Sequence, residues 1–184
     1  RQQAIIRERA LSDWPMQIFD ALKRHDVRQV AYVPDGGHAE LIRAIHADPS
    51  MRAIALTTEE EGVAVLAGAW LGGQRGVMLM QSSGVGNCVN MFSLVAQCRT
   101  PFVALVTMRG EWGEFNPWQV PMSRATQTVV EAMGLRCLRA DDPAEVGPTL
   151  ESSLSMAFAG GSANVVLLGQ RLIGAKEFTK EDQR

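Results

Sequence analysis

The chain has 184 residues, of which 46% are hydrophobic, so a globular domain can bury a sizeable core without disulfides or a structural metal. Its 18 basic and 20 acidic residues leave a formal net charge of -2, and neither sign forms a block, which argues against nonspecific binding of nucleic acid. The cysteines show no CxxC spacing, the chain begins with a charged segment rather than an apolar signal sequence, and no apolar run approaches the roughly 20 residues of a membrane helix. We therefore expect a reduced, cytoplasmic protein without a membrane segment.

Strand-like apolar runs alternate with amphipathic helical stretches along most of the chain, which is typical of βαβ units in a parallel sheet. The predicted strands are residues 30–33, 53–57, 76–81, 101–107, 135–139 and 164–168. The predicted helices, in which apolar residues recur every three or four positions, are residues 14–24, 38–47, 60–71, 86–97, 124–133 and 143–159. This pattern predicts an α/β domain over residues 14–173, with a doubly wound, six-stranded parallel sheet and helices on both faces. Charge-rich tails at residues 1–13 and 174–184 flank it.

The segments that follow the first four predicted strands are expected to carry function. In an open parallel sheet the ligand crevice lies beyond the carboxyl ends of the strands. These segments are residues 34–38, 58–62, 82–87 and 108–119. Together they predict a concave, partly polar rim.

The first of these segments places Asp35 and His38 on either side of two glycines. Two interpretations of His38 stay open, a polar residue at the start of a helix and a catalytic group. Both residues are candidates because they follow a strand at the expected crevice.

Three consecutive carboxylates, Glu59 to Glu61, occupy the second segment. They could cap the next helix, with Thr58 as the N-cap and Glu61 as its capping-box partner. Alternatively, Glu60 could act as an acid or base. Small or apolar residues follow Glu60 at three, four and seven positions, so we expect Glu60 to begin a buried face, with a raised pKa, and Glu59 to turn elsewhere.

The third segment contains Gly84, Gly86 and Asn87 between a strand and a helix. Its backbone N–H groups could bind a phosphate, although Val89 occupies the third glycine position of a GxGxxG pattern and no Walker lysine follows. A glycine turn that packs the strand tightly on the helix is the other interpretation. Ser83 could be an ordinary hydroxyl at the helix start.

The fourth segment begins with Arg109, where a guanidinium could bind a carboxylate, sulfonate or phosphonate group through two hydrogen bonds. The alternative is an exposed loop cation. Residues 111–122 form a long irregular stretch with Trp112, Phe115 and Trp118. Such a stretch could cover a site or contact a partner protein.

Taken together, these segments resemble the pyrimidine-binding domain of thiamine diphosphate enzymes, in particular the small separate subunit of the sulfopyruvate and phosphonopyruvate decarboxylase group. The residues that carry the resemblance are VPD at 33–35, TEEEG at 58–62 with AGAW at 67–70, MQSSGVGN at 80–87 with Asn90, and RGE at 109–111 with QVPMSRAT at 119–126. They cover nearly all of residues 14–173, in the family's order. The chain departs from the family at Glu59, where histidine is common, and at Gly68 and Ala69, where an acidic residue and glycine are common.

The resemblance implies a role for each candidate residue. In that family a glutamate at the start of the second helix bonds N1′ of the cofactor aminopyrimidine and activates the cofactor, and Glu60 matches it. The resemblance also implies that the segment around Gly84 and Gly86 packs against the pyrimidine ring. On the cofactor side, the remaining candidates are Pro34, Ser83 and Asn87. On the substrate side, the candidates are Asp35, His38, Arg109 and Gln119.

The same resemblance implies a partner chain. The diphosphate half of such enzymes carries Gly-Asp-Gly and a later Asn-Asn, because a magnesium ion must bridge to the diphosphate through oxygen ligands. Neither pattern occurs in these 184 residues, and we expect no metal ligand here. Thiamine diphosphate would then be shared with a beta subunit that binds Mg²⁺ and the diphosphate, in an α2β2 or larger hetero-oligomer.

The expected function is therefore the alpha subunit of a lyase that decarboxylates a small anionic 2-oxo acid, with sulfopyruvate, giving sulfoacetaldehyde and carbon dioxide, as the first choice. Within the family, a phosphonopyruvate decarboxylase or an acetolactate-type carboligase subunit is the alternative. Outside it, a nucleotide-binding module or a noncatalytic assembly subunit stays open.

Overall fold

The computed structural model describes residues 13–174, so the two predicted tails lie outside the described residues except for Asp13 and Gly174. Its sheet has six strands, all parallel, in the order β2-β1-β3-β4-β6-β5. The strands are β1 (Val27–Tyr32), β2 (Arg52–Ala55), β3 (Arg75–Gln81), β4 (Phe102–Thr107), β5 (Arg136–Ala140) and β6 (Ala163–Leu168). The predicted α/β class and six-stranded parallel sheet are confirmed.

Helices cover both faces of this sheet. They are α1 (Trp14–Arg24), α2 (Ala39–Ala47), α3 (Glu59–Leu71), α4 (Ser82–Cys88), α5 (Phe92–Cys98), α6 (Gln119–Ala132), α7 (Pro143–Phe158) and α8 (Gln170–Ile173), with a 3-10 turn at Gly36–His38. One core contains Ile18, Leu41 and Leu150 from α1, α2 and α7, and the other contains Val63 and Phe92 from α3 and α5. Strand β4 is buried throughout, as its continuous apolar sequence predicts for a strand covered on both sides.

Several predicted boundaries were wrong, most clearly after β3. Residues 82–87 are not a loop but most of α4, and the predicted helix 86–97 is divided into α4 and α5. Glycine disfavours helix, but Gly84, Val85 and Cys88 are buried, so packing outweighs intrinsic preference. Helix α6 begins at Gln119 rather than at residue 124 because Pro121 falls in the first turn, where its missing N–H leaves no helical bond unmade.

The strand order places a crevice at the carboxyl ends of β1 and β3. The chain leaves β1 toward one edge of the sheet, to β2, and then crosses back to β3 on the other side of β1. Adjacent strands whose connections run in opposite directions leave room for a ligand beyond their ends. Among the described helices, none is both long and apolar enough to cross a membrane.

Candidate functional site

A pocket of about 290 Å³ opens at this crevice. It lies beyond the carboxyl ends of β1, β3 and β4, beside the end of α8. Its lining residues are Asp35, Gly36, Gly37, Gln81, Thr107, Arg109, Ile173 and Gly174. Two predicted site residues, Asp35 and Arg109, are thus brought together.

Asp35 forms a fixed acidic wall of the pocket. Its carboxylate accepts hydrogen bonds from Gln81 Nε2 at 2.7 Å and from Thr107 Oγ1 at 2.5 Å. A Cβ at Gly37 would lie 2.8 Å from the Thr107 methyl group and 3.2 Å from Asp35 Oδ2. Glycine is therefore required at position 37 for the turn to approach β4 so closely.

Arg109 is paired within the chain rather than free in solvent. Its Nε and Nη2 donate to the two oxygens of Glu114, at 2.7 and 2.8 Å, and the two side chains are only 14% and 4% exposed. The hydrogen bond from Arg109, more than any other contact, lowers the pKa of Glu114 to about 2. The interpretation of Arg109 as an exposed loop cation is wrong, because the acid five residues later neutralises and covers it.

The segment after β4 is anchored by Gln170, which our sequence analysis did not identify. The Gln170 side-chain oxygen accepts from the N–H groups of Glu111 and Trp112, both at 2.8 Å, and its Nε2 donates to Glu114 at 3.0 Å. Arg139 holds the Glu111 carboxylate through two further hydrogen bonds of 2.8 Å. The segment that carries Arg109 is thus held in place by α8 and β5. The position of Gln170 just after β6 was the available signal.

His38 lies beneath the rim and does not line the pocket. Its side chain is fully buried, and Nε2–H donates to the carbonyl oxygen of Leu105 at 3.2 Å. Burial is the main cause that lowers the pKa of His38 below 6.5, so the ring is neutral at pH 7. Its Nδ1 has no hydrogen-bond partner in the described chain. The structure therefore does not bring His38 to the substrate side.

Gln119, the first residue of α6, is also absent from the pocket lining. Its side-chain oxygen is buried without a hydrogen-bond partner among residues 13–174. A buried oxygen without a partner can accept a hydrogen bond from a donor on another molecule.

The three acidic residues of α3 have different environments. Glu61 accepts a hydrogen bond from the N–H of Thr57 at 2.9 Å. Thr58 is the N-cap residue, but its side chain makes no capping hydrogen bond, so the predicted capping box is wrong. Glu59 accepts from Asn87 Nδ2 at 2.8 Å. Glu60 is exposed, and its carboxylate accepts no hydrogen bond from any described residue.

The predicted buried face of α3 was assigned to the wrong glutamate. Gly62, Val63 and Leu66 are buried, and they follow Glu59, not Glu60, at three, four and seven positions. Glu59 therefore begins the buried face and Glu60 points away from it, so the expected burial of Glu60 is wrong for this chain by itself. Apolar residues occur on all sides of α3, which left the sequence without a clear face.

The predicted cofactor residues on α4 differ in accessibility. Gly84 is covered, because a Cβ there would lie 2.5 Å from Glu59 Oε1. Ser83 is partly buried, whereas Gly86, Asn87 and Pro34 are exposed. Gly84 itself is thus not open to a ligand in this arrangement. Over residues 13–174, no three His, Cys, Asp or Glu side chains converge as metal ligands.

The chain is similar to several characterised proteins. It is 32% identical over 152 residues to the sulfopyruvate decarboxylase subunit alpha of Methanothermobacter thermautotrophicus, covering 82% of this chain and 92% of that one. It is 44% identical over 107 residues to a phosphonopyruvate decarboxylase of Streptomyces viridochromogenes, covering 57% of this chain and 27% of that one. A 2-oxoglutarate:ferredoxin oxidoreductase from Magnetococcus marinus has the same fold, with a TM-score of 0.72 at 13% identity, over 87% of this chain and 29% of that one.

Residues 16–117 match the family described as the N-terminal TPP binding domain of thiamine pyrophosphate enzymes. This match includes Asp35, the acidic turn, α4 and Arg109, and the similarity to the alpha-subunit relative covers 82% of the chain. The chain therefore belongs to the family of N-terminal thiamine pyrophosphate-binding domains.

Proposed function

We propose that this chain is the alpha subunit of a thiamine diphosphate-dependent decarboxylase whose substrate is a short 2-oxo acid with a second anionic group. The observation that carries the proposal is the state of Glu60. It is exposed and without an internal hydrogen bond, whereas Glu59 and Glu61 are both engaged by their own chain. A carboxylate in that state can accept a hydrogen bond from another molecule.

Glu60 fits the pyrimidine half of the cofactor. A protonated aminopyrimidine nitrogen would donate to an accessible acceptor held on a rigid element, and Glu60 stands in the first turn of the 13-residue helix α3. The bound cofactor would supply a nucleophilic thiazolium carbon and an electron sink for the leaving carboxylate. The role of Glu60 is to hold the ring nitrogen and its proton.

A second polypeptide would provide the diphosphate and Mg²⁺ sites. The exposure of Glu60 supports this, because exclusion of bulk water strengthens electrostatic interactions in an active site, and no residue among 13–174 covers its carboxylate. The similarity to proteins named as alpha subunits supports it further.

The pocket beside Asp35 would receive the substrate. Arg109 Nη1 makes no hydrogen bond with a described residue and is the available donor for an anionic group. Asp35 and Glu114 together outweigh the charge of Arg109, so the partner chain would have to supply further positive charge for a doubly anionic substrate. Asp35, which lines the same pocket, is our candidate for exchanging a proton with the reacting centre.

Substitution of Glu60 by glutamine in the co-expressed pair tests this assignment. We expect the decarboxylation rate to fall by about 10²–10⁴-fold, because proton-transfer catalysis is lost, while the two chains still co-purify. The matched control is Glu40→Gln, at an exposed glutamate in the first turn of α2, which should keep the wild-type rate. Near-normal turnover by Glu60→Gln would refute the proposal.

The substrate is tested with sulfopyruvate, phosphonopyruvate and pyruvate side by side. Three sulfopyruvate decarboxylase alpha subunits are 30–32% identical to this chain, which favours sulfopyruvate. Two phosphonopyruvate decarboxylases are 42% and 44% identical over shorter segments, which makes phosphonopyruvate the second candidate. We expect an aldehyde product from sulfopyruvate; an acyloin would indicate a carboligase instead.

A further inference from the structure

The side chain of Glu59 packs on α4 in a recess formed by Gly84 and Asn87, which we call the Glu59 seat. Asn87 Nδ2 donates to Glu59 Oε2 at 2.8 Å. Directly beneath, a Cβ at Gly84 would lie 2.5 Å from Glu59 Oε1 and 2.6 Å from its Cδ and Cγ. The carboxylate end of Glu59 therefore occupies the space that any larger residue at position 84 would fill.

This seat controls the direction of the neighbouring Glu60. Successive residues of an α-helix are about 100° apart around its axis. Because Glu59 points to α4, the next residue, Glu60, is directed about 100° away from that contact, toward the exposed side. Without the hydrogen bond from Asn87, the first turn of α3 would still be held by the buried Gly62 and Val63 and by the contact of Glu61 with the N–H of Thr57, but the Glu59 side chain would be free to move toward Glu60.

The seat also separates two like charges. Adjacent carboxylates repel each other, and the Asn87 amide stabilises the charge of Glu59 at a defined place rather than beside Glu60. Both carboxylates act on the same neighbour: the pKa of the Cys88 thiol is raised to about 12, first by burial and then by the charges of Glu59 and Glu60.

The geometry points to Glu59 as a positioning residue for Glu60, with Gly84 and Asn87 as its seat. This inference rests on the proposed role of Glu60. It gives Gly84 a function different from ligand contact: the missing side chain makes room for Glu59. It also gives a reason for a glutamate at position 59 in this chain, since the seat needs a hydrogen-bond acceptor.

The first test uses Gly84→Ala in the 184-residue chain without cofactor. The new methyl group should displace Glu59, because the clashing atoms are the far end of a flexible side chain. The NMR signal of the Asn87 side-chain amide, which loses its acceptor, should then move toward the chemical shifts of side-chain amides that make no hydrogen bond. Gly68→Ala is the matched control, since a Cβ at this exposed glycine of α3 meets nothing within 4 Å. It should leave the amide signal unchanged.

The second test measures how fast the thiazolium proton of bound thiamine diphosphate exchanges for deuterium in the co-expressed pair. Gly84→Ala, Glu59→Ala and the surface variant Asn87→Ala should each slow exchange by about tenfold to a hundredfold, the usual effect of a misplaced catalytic group. Glu59→Gln should recover most of the rate, because its amide oxygen can still accept from Asn87. The double variant Glu59→Ala/Gly84→Ala should be no slower than Glu59→Ala, since no carboxylate remains to be displaced.

The outcomes separate this inference from the proposed function. If Glu60→Gln abolishes exchange while the Glu59, Gly84 and Asn87 variants stay within twofold of wild type, the positioning role is wrong and the role of Glu60 stands. Additive losses in the double variant would also overturn it, because Gly84 would then act independently of Glu59. Normal exchange in Glu60→Gln would reject the proposed function itself.

Discussion

Replacement of Gln170 by leucine should destabilise the protein by releasing the segment that carries Arg109. The Gln170 side chain is almost completely buried, at 1% exposure. Its oxygen is the hydrogen-bond acceptor for the N–H groups of Glu111 and Trp112, and its Nε2 donates to the ionised Glu114. Leucine has a similar size but neither donates nor accepts, so all three contacts disappear.

The expected loss of unfolding free energy is about 2–4 kcal/mol. Each partly buried N–H left without an acceptor costs about 1 kcal/mol, the lower end of the range for buried donors, and a hydrogen bond to a charged group contributes about 1.5 kcal/mol or somewhat more. Water reaching the released loop would reduce the loss, which is why we use the lower values.

Urea unfolding followed by tryptophan fluorescence measures this loss, because Trp112 lies beside the lost contacts. The matched variant Gln170→Glu keeps an acceptor for the two N–H groups but puts a carboxylate where Nε2 lies 3.0 Å from Glu114. Repulsion raises the folded-state pKa of the introduced carboxylate above its usual value of about 4.3. Glu114 is the partner that stays ionised, because Arg109, which lowers its pKa to about 2 in the wild-type chain, remains bound to it.

The pH dependence of the two variants should therefore differ. Because the folded Gln170→Glu variant binds a proton more tightly than its unfolded chain, its deficit is full at pH 7 and shrinks as the pH falls toward about 4. The deficit of Gln170→Leu should not show this recovery. Stabilities of both variants within about 0.5 kcal/mol of wild type at pH 7 would refute the anchoring role, since that is the usual range for surface substitutions.

Three further predictions concern the core. Burial lowers the pKa of His38 in the folded state, so unfolding should take up a proton below about pH 6.5. The free energy of unfolding should therefore decrease as the pH is lowered through this range. In urea titrations at several pH values, His38→Gln should reduce this pH dependence. Gly62→Ala should cost about 1–3 kcal/mol, because its Cβ would lie 2.8 Å from a leucine side chain, whereas thermal unfolding should show no loss for Gly68→Ala. Cys98 is exposed and should react with a thiol reagent at pH 8, but Cys88, whose thiol pKa is raised to about 12, should react only after unfolding; rapid labelling of both would contradict its burial.

The sequence determined the architecture because each element leaves a short-range pattern. Continuous apolar runs identified the strands, and all six are present within a few residues of their predicted bounds. Helix α1 has its predicted limits, Trp14–Arg24. Segments such as 82–87 were assigned wrongly because Gly84 and Gly86 suggest a loop, and only their packing makes them helical.

The candidate site was less predictable because its contacts join residues far apart in sequence. Asp35 and Arg109 could be placed near each other, since both follow strands of one parallel sheet. The pairing of Arg109 with Glu114, the burial of His38 and the anchoring by Gln170 left no periodic signal. Each depends on which elements become neighbours in the folded sheet.

Sequence alone thus determined the parallel sheet, the position of the acidic turn at a strand end and the family resemblance, all of which follow from local patterns and their order. Only the tertiary structure decided which of the three glutamates is free. The N–H of Thr57 engages Glu61, the distant Asn87 engages Glu59, and Glu60 alone is left without a hydrogen-bond partner among the described residues. The choice depends on α3 packing against α4, which brings together groups 28 residues apart.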